Sequence, residues 1–487
     1  MQRQGTITER TMTLSGKTIR VIAAVLIAAL GVYIGFLMPF APDLGSIGHK
    51  ALMGLVVALG LWIFRPLDIP FSVTAGLMLA IFLASGIPSA NVFSGYTSPA
   101  IWILIPALFF GFALAQTGLG RRLAFLIIRM FEPSYLGLTL AWVIIGIVLS
   151  ALTPSITVRT AIMTPIAVTC CDLAKLPNGS KGRALILLTA ISMAILPGAG
   201  WMTGTLTGPT LIGFYNATEG LQGIITFSSW AQVALLEAAV TTVLLVVGGY
   251  FVMKPSEPMS QSITKQVFVD EYRKLGAWSR AEKWTAGILV GAFLMFVTAP
   301  LHKIPDAATC LLAFFLLTSI GVISAQDIGP GINWDIVIFI GAGLSIGSVV
   351  AFTGTSKWLA SLVVPALAPI AHNPWMFCFA VVIFLFAWRF VDIVIMIPTE
   401  AILIPILPAI AAAYHIDPLV WIGLFILPIN AMFMNYQNSF VLVGESLAKE
   451  RGWRPNQLLV YGSIYFVASL LTLLVVIPYW IGQGFFR

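Results

Sequence analysis

Residues 134–174 read SYLGLTLAWVIIGIVLSALTPSITVRTAIMTPIAVTCCDLA, two apolar arms joined at Thr153-Pro154-Ser155-Ile156-Thr157. An apolar helix of about 20 residues spans the hydrocarbon core of a bilayer, so each arm can run deep into it. Arg121, Arg122 and Arg129 precede the segment, and Lys175, Lys181 and Arg183 follow it. Positive residues close to a span mark the cytoplasmic side. A chain that begins and ends on one side has turned back inside the lipid. The pattern predicts a re-entrant hairpin with its tip at Thr153–Arg159.

The surrounding chain has the same character. Of 487 residues, 59% are hydrophobic and only 9% are charged, against about 25% charged in soluble proteins. So few charges cannot coat a globule of this size in water. That excludes a soluble enzyme, a secreted disulfide scaffold and a nucleic-acid-binding module. Cys170, Cys171, Cys310 and Cys378 lie within apolar runs, where cysteine behaves as a small hydrophobe, and no spacing suggests zinc. His49, His302, His372 and His415 fall near the ends of such runs, so a membrane-buried histidine metal site or base is not expected. Formal net charge +7 reads as a topology signal.

Arg3, Arg10, Lys17 and Arg20 place the N-terminus inside, and 21–40 reads as a retained first helix rather than a signal peptide. Spans follow at 48–64, 70–88 and 99–118, then an interfacial helix at Gly120 to Met130, the hairpin, an outward crossing at Ala184 to Phe214 and a return at Trp230 to Val252. Lys254 to Lys283, with six Lys/Arg against four Asp/Glu, is a cytoplasmic linker. The second half predicts spans at 284–302, 307–325 and 333–352, a polar-flanked helix near Ser356 to Val364, an interrupted segment from Pro374 to Ala413, a long span at 417–446 and a last one at 457–483. The fold class expected is an all-α polytopic membrane protein of about 11 transmembrane helices plus two re-entrant hairpins in an inverted repeat. Its organisation is a cytoplasmic N-terminus (1–20), a first repeat with leading helix (21–253; scaffold 21–132, transport elements 134–253), the linker (254–283) and a second repeat (284–487; scaffold 284–366, transport elements 374–487). The location expected is the plasma membrane, with the N-terminus inside and the C-terminus outside.

The halves also resemble one another. Ile101–Ala124 aligned without gaps to Val337–Ala360 gives seven identities in 24, including Thr117-Gly118 with Thr353-Gly354. Ala161, Ile162, Pro165 and Ile166 match Ala401, Ile402, Pro405 and Ile406, while Leu196-Pro197 and Gly213 match Leu427-Pro428 and Gly444. Inverted repeats with interrupted helices are the construction of secondary transporters.

Irregular backbone at membrane depth persists only where protein or a watery cavity satisfies it. The breaks at Thr153–Arg159, Pro197–Pro209, Ile397–Glu400 and Asn435–Ser439 are therefore the expected binding region. Substrate-binding candidates are Ser155, Thr157, Arg159, Thr205, Thr207, Thr399, Asn435 and Asn438; candidates for cation or proton coupling are Ser155, Gly198, Gly200 and Glu400. Arg159 costs roughly 3 kcal/mol at mid-bilayer, so it either binds an anion or pairs with Glu400 or Asp392. Arg389 and Asp392, three apart, most simply pair with each other. Glu237 stands alone in an apolar span.

The tip Thr153-Pro154-Ser155-Ile156-Thr157-Val158-Arg159, ten residues before Pro165, resembles the Ser-Asn-Thr-Ala-Arg tip of the divalent anion:sodium symporter (DASS) family within the ion transporter superfamily. Ile101–Ala124 and Trp334–Ala360 are similar to the segments ahead of that family's two hairpins. The resemblance implies a carrier of small organic anions, di- or tricarboxylates or sulfonates. It also implies a homodimer, elevator movement of the hairpin-bearing elements, and Na+ held beside the tips. The family's asparagine is Ile156 here, and the second Ser-Asn-Thr falls on Ile395-Met396-Ile397. Coupling is thus open between Na+, a proton on Glu400 and anion exchange. Alternatives from other classes are a cation/proton antiporter using Glu400 and Asp392, a lipid-active membrane enzyme and a channel. No break holds a catalytic His/Asp or Cys/His set.

Overall fold

The computed structural model describes residues 4–260, 262–392, 396–449 and 451–487. Ile395 and Arg3 lie outside those residues, as do the side chains of Arg10 and Lys17. Helices α1 (Gln4–Leu37), α2 (Ser46–Phe64) and α3 (Phe71–Ala84) pack in succession and lead to α4 (Pro99–Gln116) and the short α5 (Leu119–Ile128). Next come the arms α6 (Tyr135–Leu152) and α7 (Ile156–Leu173), both packed on α8 (Lys181–Ile195). Helix α9 (Thr207–Asn216) is followed by α10 (Phe227–Met253), which holds a π-helical stretch at Ala231–Leu235.

The linker carries α11 (Lys265–Lys274), and the second half opens with α12 (Arg280–Val297), α13 (Asp306–Ser319), α14 (Trp334–Phe352) and α15 (Thr355–Ala371). It continues with α16 (Pro374–Trp388), α17 (Ile397–Leu403), α18 (Leu407–Tyr414), α19 (Val420–Ile429), α20 (Ser439–Leu447) and α21 (Pro455–Gly482).

Ten helices among the described residues are long and apolar enough to cross a bilayer. Every residue from Gly182 to Gly200 is buried, whereas the apolar part of α1 is mostly exposed. Phe36, Phe315 and Leu294 turn outward, as side chains do where lipid replaces water. α3 and α13 stop short of the expected 70–88 and 307–325. Gly86 and Gly321 take left-handed φ of 80° and 75°, and the amides of Ile87 and Val322 turn back to the carbonyls of Phe82 and Leu317. These are glycine-capped helix ends; the apolar residues past them belong to the cap.

Matching local geometry recurs in the two halves. Thr117 donates to the carbonyl of Ala113 at 2.7 Å and Thr353 to that of Val349 at 2.8 Å. Gly118 and Gly354 follow at φ 76° and 73° and open α5 and α15. The first tip is held by its own side chains: Thr153 Oγ1 accepts from the amide of Ser155 at 3.1 Å, and Ser155 Oγ caps α7 through the amide of Val158.

The second tip differs from the expected position. Residues Ile397–Glu400 do not form the interruption; they are the first turn of α17, with Met396 left-handed just before it. Pro398 explains this, because a proline in the first helical turn removes an amide that has no partner anyway.

The linker is tied at both ends. The Glu257 carboxylate accepts from the amides of Lys181 and Gly182 at 3.1 Å, and Tyr135 donates to the Glu257 carbonyl. Burial pushes that carboxyl up, but the amides of Gly182, Lys181 and Ser256 outweigh it and hold it below the usual range. At the far end Arg122 donates to Glu282 at 2.6 Å and to the carbonyls of Gly276 and Leu275 at 2.9 Å. Burial raises the Glu282 carboxyl; the Arg122 and Ser279 bonds lower it further than burial raises it.

Candidate functional site

Both interrupted spans break where their sequences are rich in Gly, Pro or polar residues. α8 tightens into a 3-10 turn at Leu196–Gly200, and the chain stays irregular until α9 begins at Thr207. α19 ends at Ile429, a short turn occupies Asn435–Gln437, and Asn438 caps α20 by accepting from the amide of Phe440 at 3.1 Å. The helix starts at Thr207 and Ser439 face one small chamber of about 20 Å³, lined also by Ile156, Arg389, Asn430, Gln437 and Asn438. Through Leu206, Thr207 and Ser439 it shares walls with a larger cavity of about 200 Å³.

The chamber presents donors rather than acceptors. Arg389 lies at the end of α16, 1% exposed. Its Nη1 donates to the main-chain carbonyl of Asp392 and its Nη2 to that of Gln437, while Nε has no partner. The Asp392 carboxylate accepts from Thr399, whose hydroxyl also takes the Trp388 indole N–H at 2.9 Å. Arg389 therefore meets Asp392 through the backbone, and it staples the second tip to the second break. Gln437 is fully buried; its Oε1 accepts from the amide of Met434 at 2.9 Å, and its Nε2 is without a partner. A buried donor left unmade costs about 1–3 kcal/mol. Two residues with such donors border one chamber, beside two hydroxyls and two helix starts, and that combination suits an anion.

The structure brings together Thr207 and Asn438 of the sequence candidates, with Ile156 of the first tip. Ser155 and Thr205 are close by in chain but line neither cavity, and Thr157 is exposed. Asn435 instead donates to Glu445, and Thr399 is engaged by Asp392. Arg159 is 0% exposed, and none of its three guanidinium nitrogens has a partner. Glu400 is equally buried with both oxygens unpaired. The fixed Arg159–Glu400 ion pair is thus not formed here.

Arg159 lies against the first break, where a Cβ on Gly198 would stand 2.6 Å from Nη1 and 2.9 Å from Nη2. Only glycine leaves room for it. The same contact bears on sodium. A cation beside Gly198 would meet the guanidinium charge, the Gly198 carbonyl already accepts from Trp201, and Ser155 Oγ is taken by its own helix. The Gly198 carbonyl and Ser155 Oγ each accept one hydrogen bond and keep a lone pair, and among the described residues no three His, Cys, Asp or Glu cluster as metal ligands.

Sequence reasoning passed over Arg65, Gln437 and Ser439 as site residues. Gln437 and Ser439 lay inside the polar run already singled out; Arg65 sits on a turn far away in sequence, and only tertiary approach brings it in.

A family described as "Sodium:sulfate symporter transmembrane region" matches residues 18–483. The chain is 25% identical over 401 residues to the inner membrane protein YbhI of Escherichia coli, covering 78% of this chain and 82% of that one. It is 24% identical over 303 residues to the L-tartrate/succinate antiporter of the same organism, 61% of each chain. Among solved structures, the YdaH transporter of Alcanivorax borkumensis superposes with a TM-score of 0.56 at 14% identity, over 96% of this chain and 98% of that one.

Proposed function

The chain belongs to the sodium:sulfate symporter transmembrane-region family, and from that premise we propose that it is a secondary carrier of small organic dianions of the dicarboxylate class. One observation carries the substrate class: Arg389 and Gln437, each with a buried donor (Nε and Nε2) that has no partner, are among the residues around a chamber between the interrupted halves. A carboxylate supplies the acceptors they lack. The tartrate/succinate antiporter to which the chain is similar supports the same class by its name.

In this proposal the units 134–253 and 374–487 move as transport elements against the scaffolds 21–132 and 284–366. The hairpins 134–174 and 374–413 are re-entrant, and the carrier is a homodimer. Thr207 and Asn438 join Gln437 and Arg389 in holding the anion. Arg159, buried without a partner, supplies a further positive charge once the first tip shifts. Glu400 carries a proton, or the carrier exchanges one anion for another, or Na+ binds beside the first tip at Ser155, Gly198 and Gly200.

The test is uptake of labelled succinate, tartrate and sulfate by purified protein in liposomes, under separate Na+, pH and counter-anion gradients. Uptake of a dicarboxylate driven by an opposed dicarboxylate or by protons is expected. Electrogenic cation or proton flux with no organic anion would instead establish the antiporter alternative through Glu400 and Asp392.

A further inference from the structure

The larger cavity has an end that nothing above uses. It is lined by Thr207 and Thr210 of α9, Ile397 of the second tip, Tyr436 and Ser439 of the second break, and Arg65 from the turn after α2. At about 200 Å³ it holds several times the ~30 Å³ share of one water molecule. Arg65 belongs to the part of the chain assigned above to the scaffold, as do Phe71, Ile336, Phe339 and Ile340 on the apolar part of the same wall, while the other five belong to the transport elements.

Three features set Arg65 apart. Its side chain makes no hydrogen bond or ion pair with any described residue, and Nε is buried without a partner. Its guanidinium carbon lies 4.6 Å over the ring of Phe71. A ring face holds a cation loosely and leaves its fork of donors free. The nearby carboxylate of Asp335 is committed elsewhere, accepting from the amides of Phe71 and Ser72. The turn itself is also unusual, because Arg65, Leu67 and Asp68 all adopt left-handed φ, at 42°, 57° and 55°. Residues with side chains rarely stay there unless the surroundings force them, and such positions cluster at binding sites.

Each of two neighbouring cavities therefore has an arginine. Arg389 lines the small chamber and Arg65 the larger cavity, and Leu206, Thr207 and Ser439 line both. We propose that Arg65 is a specificity-determining residue of the site: it binds the distal carboxylate of a dicarboxylate whose proximal carboxylate is held at Arg389 and Gln437. This rests on the carrier reading and narrows it, since a single anionic group cannot use both ends. Because the two arginines come from units that move relative to one another, the distal contact exists only when scaffold and transport elements stand as they do here.

The experiment compares wild type, Arg65→Gln and Arg65→Lys in liposomes, with labelled succinate as substrate and unlabelled propionate, a monocarboxylate, as competitor. Arg65→Gln is expected to raise the KM for succinate at least tenfold and to leave the inhibition constant of propionate within twofold. Arg65→Lys keeps the charge without the fork and falls between. Thermal unfolding without ligand within about 2 °C of wild type shows that the Gln variant is folded. If succinate KM stays within twofold of wild type, or succinate and propionate weaken alike, Arg65 does not read the second carboxylate and the proposal is overturned while the carrier stands. If wild type itself neither transports nor is stabilised by any dicarboxylate, the carrier reading fails and this inference falls with it.

Discussion

Replacing Arg159 with methionine should make the empty protein more stable and the loaded protein no more stable than the empty one. The guanidinium is fully buried, and all three of its nitrogens lack partners. Insertion of such a charge at membrane depth costs roughly 3 kcal/mol. Exchanging buried charges for apolar side chains of similar volume is often stabilising by about 1–4 kcal/mol. Arg159→Met should therefore gain on the order of 2 kcal/mol, seen as a rise of a few degrees in Tm. Ligand acts in the other direction. At a concentration of 100 Kd a bound substrate stabilises wild type by about 2.7 kcal/mol, and the variant should gain none of it. The assay is thermal unfolding of detergent-solubilised protein with and without succinate, paired with liposome uptake. A fall in stability of about 3–5 kcal/mol without ligand, the signature of a buried ion pair losing one partner, would refute the reasoning.

Gln437→Glu keeps the oxygen that accepts from Met434 and swaps the chamber-facing donor for an acceptor; succinate uptake should fall at least a hundredfold while the fold persists by circular dichroism. Gly198→Ala places a Cβ against Arg159 and the Gly204 carbonyl, so transport should drop and Tm fall by a few degrees. Glu400→Gln should leave Tm nearly unchanged, because the carboxyl has no partner to lose, and should abolish any dependence of uptake on a pH gradient. Glu282 is held below its unfolded value, so its stabilising bond to Arg122 is present above about pH 4.3 and is lost as pH falls through the folded value. Glu282→Gln should thus cost about 1.5–3 kcal/mol at pH 7, a cost that shrinks as pH falls below about 4.3, measured by urea unfolding across pH.

The first tip was readable in the sequence because Thr153-Pro154-Ser155 interrupts apolar arms, and the same residues then cap α7. Asn435–Ser439 was readable for the same reason, as polar residues with no packing purpose in a span. In the second half, Ile397–Glu400 looked like an interruption but starts a helix, because a proline in a first turn is as compatible with a helix start as with a break. The lengths of α3 and α13 were overread because hydropathy counts Ile87, Val322 and Ile323, while the turn is decided by Gly86 and Gly321. Arg65 and the carbonyl acceptors of Arg389 were out of reach, since each depends on segments far apart in sequence coming together.

The linker has a mechanical consequence. Its first part is fastened to the hairpin side, through Glu257 to Lys181 and Gly182 and through Ser262 to the carbonyl of Leu173. Its second part, from Lys265, packs as a helix on α5 and is fastened by Arg122. Only the step from Ser262 to Lys265 is slack, and three residues pull out to at most about 10 Å. In the movement proposed above, a longer stroke of one unit past the other would peel the strap from one of its anchors, so the linker would set a stop on the travel.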